Sequence, residues 1–394
     1  MANKKPIVGV FFGSRSVEHD VSIVTAHQVM QSFDEDKYEV VPVYLNRDGR
    51  WFTGSGLMDI DNYQLDVSTI STIYETHLSP NTRYPGLITP PISKRFGKSK
   101  FKRIDVAFST IHGTHGEDGT IQGLFELVDI PYVGTGVLAS AIGNNKIVAK
   151  ALLRQHGVPV VDEVSFARHE WLENPDAVLA KIEVLGYPVF IKPATLGSSV
   201  GVARVEDAEH ARLHIEVAAS FSRQILAERA IEGGVEINCA VMGHIDLEAS
   251  VLEQPISSEA FLTYDDKYLR KGGKSAGMKG ADRMIPAPIS EELTTKIQDM
   301  TKQAFAAING YGIARIDYLV KPETGEVWLN EINTMPGSLS FYLWEASGKS
   351  ARQVVETLLE IAQNVHAEKR QTTYNYQSKL LEQAATRGVK GIKK

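Results

Sequence analysis

EINTMPG, at residues 331–337, follows a predicted strand and ends in a Pro-Gly turn. Side chains alternate along a strand, so Glu331 and Asn333 face the same way. Glycine at position 337 lets a backbone N–H approach a ligand closely, which favours a functional turn. The sequence therefore predicts two oxygen donors and an accessible backbone donor together at one strand end.

The preceding strand, predicted over 314–320, carries Arg315 and Asp317 on one face. Asp, Glu and Asn side chains offer the hard oxygen atoms that Mg²⁺ selects. Arg315 beside them would stabilise negative charge on a transferring phosphoryl group or on an oxyanion. A salt-bridge face without function has the same spacing and is the alternative. The candidate metal ligands are Asp317, Glu331 and Asn333.

Two further segments suit an oligophosphate. Lys192 ends a predicted strand, and the small residues at 195–202 follow it. A lysine followed by exposed backbone N–H groups is a typical phosphate cradle, although an ordinary hairpin turn is the alternative. Lys267 and Tyr268 precede a segment rich in glycine and lysine at 269–282. That segment is either plain surface or a lid that closes over phosphates.

Other motifs are false leads. Gly-Lys-Ser occurs at 273–275 and 348–350, but neither has the earlier glycine of a Walker A loop. The loop after the first strand lacks the G-x-G-x-x-G fingerprint of a dinucleotide site. His112 and His115 could begin a zinc site, yet no second ligand cluster exists, so loop hydrogen bonding is the better interpretation.

Composition limits the class of protein. A length of 394 residues suggests two or three domains. The net charge of −6 argues against a nucleic-acid coat. The single cysteine, Cys239, excludes an internal disulfide and is predicted to be buried. No apolar run approaches the roughly 18 residues of a membrane span, so we expect a cytoplasmic protein.

The order of predicted elements divides the chain. Strand, helix and strand over 7–45 begin a parallel α/β layer. A helix is predicted over 143–156, and β-rich sequence follows from Val158. Residues 369–394 hold seven basic residues and one acidic residue. They are either a solvated tail or a segment that contacts the domain surface or a partner.

Five motifs, in the order in which they occur along the chain, resemble those of the D-alanine–D-alanine ligase family of the ATP-grasp superfamily. The family implies an α/β and α+β fold, a three-domain ATP-grasp architecture with an N-terminal parallel-sheet α/β domain. By resemblance, residues 1–135 are that substrate domain, 136–227 the central ATP-grasp domain, 228–366 the catalytic ATP-grasp domain and 367–394 a basic tail. The motifs are GSRSVEHDVS (13–22), HGTHGEDGTIQG (112–123), KPATLGSSVG (192–201), KY (267–268) and EINTMPG (331–337).

The resemblance implies an enzyme that joins two D-alanines through a D-alanyl phosphate, with ATP cleavage, for peptidoglycan precursors. Its cofactors would be ATP and two Mg²⁺ ions, with Mn²⁺ as a substitute. Its partners would be D-alanine and ATP, without nucleic acid or membrane, in a homodimer. A ligase with another amino-acid or hydroxy-acid acceptor is the alternative. A nucleotide-binding regulatory protein without catalysis is the third hypothesis.

The family also implies a role for each matching residue. Glu18 would hold the first D-alanine in a hydrogen-bond chain with Ser198 and Tyr268, and Arg315 with the Gly337 amide would form the oxyanion hole. Asp317, Glu331 and Asn333 would bind the metal ions. The implied nucleotide contacts are Lys146, Lys192, Glu228, Arg229, Ile231, Glu236 and Lys267.

The sequence departs from the family pattern after Gly337. In the family, an aromatic residue and a Ser/Thr pair usually precede a Ser-Leu or Ser-Met that holds the second substrate's carboxylate, and the segment at 338–348 is about four residues shorter than that stretch. Ser338 or Ser340 is therefore the candidate for binding the acceptor carboxylate. The segment at 269–282 is also unusually rich in lysine and glycine.

Overall fold

The computed structural model describes residues 5–90, 99–256, 283–374 and 376–387. Lys267, Tyr268 and the segment 269–282 lie outside these residues. The described chain forms a mixed N-terminal sheet, a small three-stranded sheet, and two antiparallel sheets of four and five strands. We confirm the predicted α/β and α+β class.

The N-terminal sheet has parallel strands at its centre, where the buried run IVGVFFG forms β1. A run that is apolar on both faces is typical of a central parallel strand. The strands of this half are β1 (Ile7–Gly13), β2 (Glu39–Leu45), β3 (Trp51–Thr53), β4 (Tyr74–Glu75), β5 (His77–Leu78), β6 (Gly86–Thr89), β7 (Lys100–Arg103), β8 (Val106–Ser109) and β9 (Tyr132–Val133).

The large sheet has the order β4-β3-β2-β1-β8-β9, and the small sheet has the order β5-β6-β7. Helix α1 (His19–Ser32) follows β1, and α2 (Thr120–Val128) follows β8. Pairs β1–β2, β1–β8 and β8–β9 are parallel, so the loops after these strands gather at one edge.

The helix predicted over 143–156 is confirmed as the second of two consecutive helices. They are α3 (Gly136–Asn144) and α4 (Lys146–Gln155). The Asn145 side chain accepts hydrogen bonds from the N–H groups of Ile147 and Val148, at 3.1 and 3.2 Å. Asparagine is a strong N-cap, so the helix begins at Lys146, three residues after the predicted start.

The four-stranded sheet is antiparallel and has the order β10-β13-β11-β12. Helices cover one face, and their apolar side chains pack against it around Phe166, Trp171 and Ile215. The elements are β10 (Glu163–Ala167), α5 (Arg168–Glu173), α6 (Pro175–Glu183), β11 (Val189–Pro193), β12 (Ala203–Val205), α7 (Ala208–Phe221) and β13 (Gln224–Arg229).

The five-stranded sheet is also antiparallel, with the order β16-β15-β14-β17-β18. A 3₁₀ turn, Gly337–Ser340, follows its last strand. The elements are β14 (Val235–Gly243), β15 (Leu247–Pro255), β16 (Arg283–Met284), α8 (Glu291–Ala307), β17 (Gly312–Lys321), β18 (Glu326–Asn333), α9 (Phe341–Ala346), α10 (Ala351–Lys369) and α11 (Leu380–Arg387).

Shared apolar cores fix the sheets relative to one another. One core joins β1 and α1 of the N-terminal sheet to Trp344 and to α10. A second core joins α3 and α4 to the five-stranded sheet and α8. Cys239 is fully buried in this second core, as predicted. The domain boundaries at 135, 227 and 366 stay predictions.

The C-terminal segment begins with a contact to the body of the protein. Lys369 ends α10 and donates a hydrogen bond to Tyr311 Oη at 3.0 Å. Its ammonium also lies 5.1 Å from the centre of the Tyr132 ring. The structure therefore favours surface contact over a solvated tail for this first residue. Among the described residues, no helix is both long and apolar enough to cross a membrane.

Candidate active site

Strands β17 and β18 bring the predicted metal ligands together. In their antiparallel pairing, Asp317 is opposite Glu331 and Arg315 is opposite Asn333. The Arg315 guanidinium donates to both carboxylate oxygens of Asp317, at 2.6 and 2.7 Å. Asn333 Nδ2 donates to Asp317 Oδ2 at 2.9 Å. The predicted polar face is therefore present, and it contains the salt bridge that the spacing also allowed.

Burial strengthens this arrangement. Arg315 and Asp317 are 8% and 1% exposed. Burial by itself lowers the pKa of Arg315, but the Asp317 carboxylate outweighs it and raises that pKa well above its ordinary value. Arg315 thus keeps a fixed positive charge in a site that excludes most water.

The donor set fits magnesium by chemical type. Asp317 and Glu331 supply carboxylate oxygens, and Asn333 supplies an amide oxygen. Over the described ranges no group of three His, Cys, Asp or Glu side chains could hold a metal. A site here therefore needs Asn333 as its third protein ligand. Water and substrate phosphates would complete the octahedron, which is how Mg²⁺ is usually bound.

A cavity of about 730 Å³ lies between the four-stranded and five-stranded sheets. Its apolar walls include Phe190, Val202 and Leu319, which suit a flat heterocycle. Lys267, the remaining predicted nucleotide contact, lies outside the described residues. The predicted contacts that line the cavity are Lys146, Lys192, Glu228, Arg229, Ile231 and Glu236.

Lys146 and Lys192 enter this cavity from different elements. Lys146 opens α4, donates to the Leu196 carbonyl at 2.9 Å and lies 3.3 Å from Glu331 Oε2. Lys192, on β11, donates to Asn330 Oδ1 at 3.0 Å. The two ammonium groups therefore lie on the side of the cavity nearest the predicted metal ligands.

Glu228 faces two lysines. Its carboxylate forms ion pairs with Lys192 and with Lys150, and its side chain is 2% exposed. Burial raises the pKa of Glu228, but the two ammonium groups outweigh it and lower that pKa to about 2. Glu228 is therefore a charged side chain in the cavity wall.

The small-residue loop after β11 joins the nucleotide cavity to the N-terminal sheet. Ser198 and Ser199 have left-handed backbones, with φ of 55° and 58°. The Ser198 hydroxyl donates a hydrogen bond to Glu18, although the two residues are 180 positions apart. The predicted Glu18–Ser198 contact is present, and its third member, Tyr268, lies outside the described residues.

The turn after β18 is held in an unusual conformation. Ser338, Leu339 and Ser340 have φ of 51°, 47° and 50°. The left-handed region costs an L-residue roughly 1–2 kcal/mol, so packing must hold this turn. All three side chains are buried, and Ser340 Oγ has no hydrogen-bond partner among the described residues. The choice between Ser338 and Ser340 for the acceptor carboxylate stays a prediction.

His112 and Thr25 position this turn by hydrogen bonds. His112 Nδ1 donates to the Met335 carbonyl at 2.8 Å, and the Thr25 hydroxyl donates to His112 Nε2 at 2.9 Å. The Ser338 N–H donates to Thr25 Oγ1 at 3.1 Å. Burial lowers the pKa of His112 to about 4, so the ring is neutral at pH 7. Loop hydrogen bonding is confirmed for His112.

Glu117 holds the same turn from its other side. Its two oxygens accept hydrogen bonds from the N–H groups of Met335 and Gly113, both at 2.8 Å. Burial of the carboxyl group, reinforced by the nearby Glu18, raises the pKa of Glu117 to about 8. The backbone of Met335 is thus fixed at both its N–H and its carbonyl.

Sequence reasoning missed three residues of this site. Lys150 lies four positions after Lys146, a spacing that places both on one helix face and could have identified it. Glu117 belongs to the second motif but received no role. Thr25 carries no signal in the sequence, because its partners His112 and Ser338 are distant in the chain.

Comparisons with known proteins agree with this geometry. A family model described as "D-ala D-ala ligase N-terminus" matches residues 7–135, and "D-ala D-ala ligase C-terminus" matches residues 152–360. A D-alanine–D-alanine ligase from Natranaerobius thermophilus is 38% identical, over 91% of this chain and 95% of its own. One from Thermosipho africanus is 36% identical, over 95% and 98%.

Solved structures give the same result. The D-alanine–D-alanine ligase from Coxiella burnetii matches with a TM-score of 0.79 at 26% identity, over 98% of this chain and 99% of that one. VanG D-Ala:D-Ser ligase from Enterococcus faecalis matches with a TM-score of 0.77 at 28% identity, over 91% and 100%. The ATP-grasp fold is confirmed, and the chain belongs to the D-alanine–D-alanine ligase family.

Proposed function

We propose that this protein joins two D-alanines to D-alanyl-D-alanine, with cleavage of ATP to ADP and phosphate. One observation carries the proposal: Lys146 and Lys192 enter the cavity beside the row of Asp317, Glu331 and Asn333. A polyanion bound there would present its terminal phosphate to Arg315 and to the turn at Gly337. The dipeptide would supply peptidoglycan precursor synthesis.

In the first step, the carboxylate of one D-alanine attacks the γ-phosphate of ATP, the bond between the γ-phosphorus and the bridging oxygen breaks, ADP leaves and an acyl phosphate forms. Lys146 and Lys192 hold the phosphates and offset their negative charge. Glu18, oriented by Ser198, anchors the ammonium group of this D-alanine. Activation is needed because a free carboxylate is a poor acyl donor.

In the second step, the amine of the other D-alanine attacks the acyl carbon and phosphate leaves. Arg315 and the Gly337 N–H stabilise the oxyanion of the tetrahedral intermediate. Within the described residues the Gly337 N–H has no hydrogen-bond acceptor, so it is available for this role. One donor of this kind typically contributes about 3–4 kcal/mol to the transition state.

Asp317, Glu331 and Asn333 would hold the two magnesium ions, and Mn²⁺ would substitute. The ions would supply charge neutralisation on the phosphoryl group. We expect chelation to abolish turnover and added Mg²⁺ or Mn²⁺ to restore it. Glu331→Gln should raise the metal concentration needed for half-maximal rate, and an unchanged metal requirement would contradict this ligand set.

The deciding experiment measures phosphate release from ATP with D-alanine alone, and with D-alanine plus D-serine or a D-hydroxy acid. We expect turnover with D-alanine alone, and D-alanyl phosphate trapped as the hydroxamate by hydroxylamine. Lys181→Met, which alters an exposed lysine that does not line the cavity, is the matched control. Turnover only with another acceptor would replace the proposed substrate, and no turnover with any acceptor would overturn the enzyme assignment.

The proposal also includes two further residue roles, an oligomeric state and a location in the cell. Lys267 and Tyr268 would act at the phosphates and at Glu18. A homodimer would be measured by analytical ultracentrifugation. A cytoplasmic location would be measured by fractionation of cells that produce the protein.

A further inference from the structure

Lys150 is a buried lysine that the proposed reaction does not use. Its side chain is 2% exposed, and it lies four residues after Lys146 on α4. Of these two lysines, Lys146 lines the nucleotide cavity and Lys150 does not. Lysine is almost never fully buried unless it is paired. The partner of Lys150 should therefore explain why it is there.

That partner is Glu228, which lies between two ammonium groups. Glu228 Oε1 contacts Lys150 Nζ, and Glu228 Oε2 contacts Lys192 Nζ. We call Lys150, Glu228 and Lys192 the buried triad, because their side chains are 2%, 2% and 11% exposed. Lys192 is the member that faces the cavity most openly.

The charges of the buried triad do not cancel. Among the described residues, Glu228 is the carboxylate that forms an ion pair with Lys192, and it carries one negative charge. With Lys150 also present, the triad has a net charge of +1. Without Lys150, Lys192 and Glu228 would form a neutral pair at the cavity wall.

We infer that Lys150 is a positioning residue that neutralises Glu228, so that Lys192 keeps its positive charge for the phosphates of the nucleotide. This inference rests on the proposed function, in which Lys192 contacts phosphate. It explains why a cation is buried behind the cavity rather than in it. Charges removed from water are screened weakly, so this cation acts strongly on its neighbours.

The two ion pairs of Glu228 carry the assignment, and both ammonium groups lower the pKa of Glu228. Burial lowers the pKa of Lys150, and Glu228 opposes that effect. Replacing Glu228 with glutamine would remove the largest effect that opposes burial and leave only the weaker one of Glu163, so Lys150 would lose its proton more easily. Lys192 would then still carry a positive charge without a carboxylate partner. Phosphate binding should therefore depend on the net charge of the buried triad and not on the presence of Lys150 itself.

The test compares affinities for ADP and for adenosine, measured by isothermal titration calorimetry on the full chain. The phosphate preference is the dissociation constant for adenosine divided by the dissociation constant for ADP. Adenosine contacts the heterocycle pocket but carries no phosphate, so its binding also reports whether each variant folds. The variants are Lys150→Met, Glu228→Gln, and the double variant with both changes, with Lys181→Met as the exposed-lysine control.

We expect Lys150→Met to reduce the phosphate preference by about 10–100-fold, since it leaves a neutral pair at the wall. The double variant should restore the preference to within about threefold of the wild type, because its triad again carries +1. Glu228→Gln alone should keep or raise the preference. It serves as the second measurement if Lys150→Met does not fold.

Two results would overturn the inference alone. They are an unchanged phosphate preference in Lys150→Met, and a double variant as weak as that single variant, which would mark Lys150 as structural support. If Lys150→Met does not fold, a reduced preference in Glu228→Gln contradicts the inference. A wild-type protein that binds ADP no more tightly than adenosine would instead overturn the phosphate role of Lys192 in the proposed function, and the inference with it.

Discussion

Glu228 and Glu117 lie at opposite ends of the candidate site, and their surroundings shift the pKa values of their carboxyl groups in opposite directions. Glu228 faces two lysines, which lower its pKa to about 2. Glu117 faces backbone N–H groups and the acidic Glu18, and burial raises its pKa to about 8. Charge therefore organises the nucleotide end, and hydrogen bonds to backbone organise the amino-acid end.

The difference follows from what each end must do. Phosphates need a net positive charge, which tolerates small shifts because electrostatic attraction falls off slowly with distance. An oxyanion hole needs donors placed within a few tenths of an ångström, which a fixed backbone supplies better than mobile charges. Met335, held at its N–H and carbonyl, is therefore next to the turn that presents the Gly337 N–H.

The largest expected effect comes from removing each carboxylate. Glu228→Ala should lower the free energy of unfolding by about 3–5 kcal/mol, because it leaves buried lysines without a counter-charge. Glu117→Ala should lower it by about 1–3 kcal/mol, because two partly buried N–H groups each lose a hydrogen bond worth about 0.5–1.5 kcal/mol. Urea denaturation at pH 7 measures both. A Glu117→Ala variant at least as destabilised as Glu228→Ala would break the comparison.

The next effect concerns catalysis at the amino-acid end. Thr25→Val keeps the side-chain shape but removes the hydroxyl that connects His112 to the Ser338 N–H. We expect kcat to fall by about 10–100-fold, since one buried hydrogen-bonded group is worth about 1–3 kcal/mol. Steady-state kinetics should show an unchanged KM for ATP. A rise in that KM without a change in kcat would assign Thr25 to the nucleotide end instead.

The strand pair predicted at 314–320 and 326–330 is present, and the structure extends it to 312–321 and 326–333; alternation is a local property that sequence reveals. Arg315, Asp317, Glu331 and Asn333 meet as expected, since neighbouring antiparallel strands hold the register. The six described nucleotide residues also reach one cavity. Each of these outcomes depends on short-range pattern or on motifs that the family resemblance covers.

The turn at Ser338–Ser340 could not be predicted, for physical reasons. No glycine at these three positions signals a left-handed backbone, so their φ values are imposed by packing. The residues that impose it, Thr25 and His112, lie more than two hundred positions earlier in the chain. Local propensity carries no information about contacts of that kind.

The pH dependence of stability sharpens the contrast between the two glutamates. Because the folded pKa of Glu117, about 8, lies above the ordinary value, its stabilising contribution is complete at acidic pH. It is lost at up to about 1.4 kcal/mol per pH unit as the pH rises from the ordinary value of 4.5 to about 8.

Glu117→Gln should therefore gain stability relative to the wild type between pH 6 and pH 7, measured by urea denaturation. Glu228 has the opposite sign, since its contribution is present above the ordinary pKa and is lost only in acid. If the difference in the free energy of unfolding between Glu117→Gln and the wild type stays constant with pH, then Glu117 is already charged at pH 6.

The smallest expected effect comes from an exposed ion pair, which separates the contribution of burial from that of the ion pair itself. Lys181 and Glu170 form an ion pair of the same chemistry as Lys150 and Glu228, at 3.0 Å, but their side chains are 50% and 40% exposed. Lys181→Ala should change the free energy of unfolding by at most about 1 kcal/mol, because water screens both charges. The same assay should give a much larger loss for Lys150→Ala, since Glu228 would keep a buried charge with one partner fewer. If the exposed and buried lysines cost the same to remove, then burial does not amplify the charge of the buried triad, and the electrostatic account of the nucleotide end is wrong.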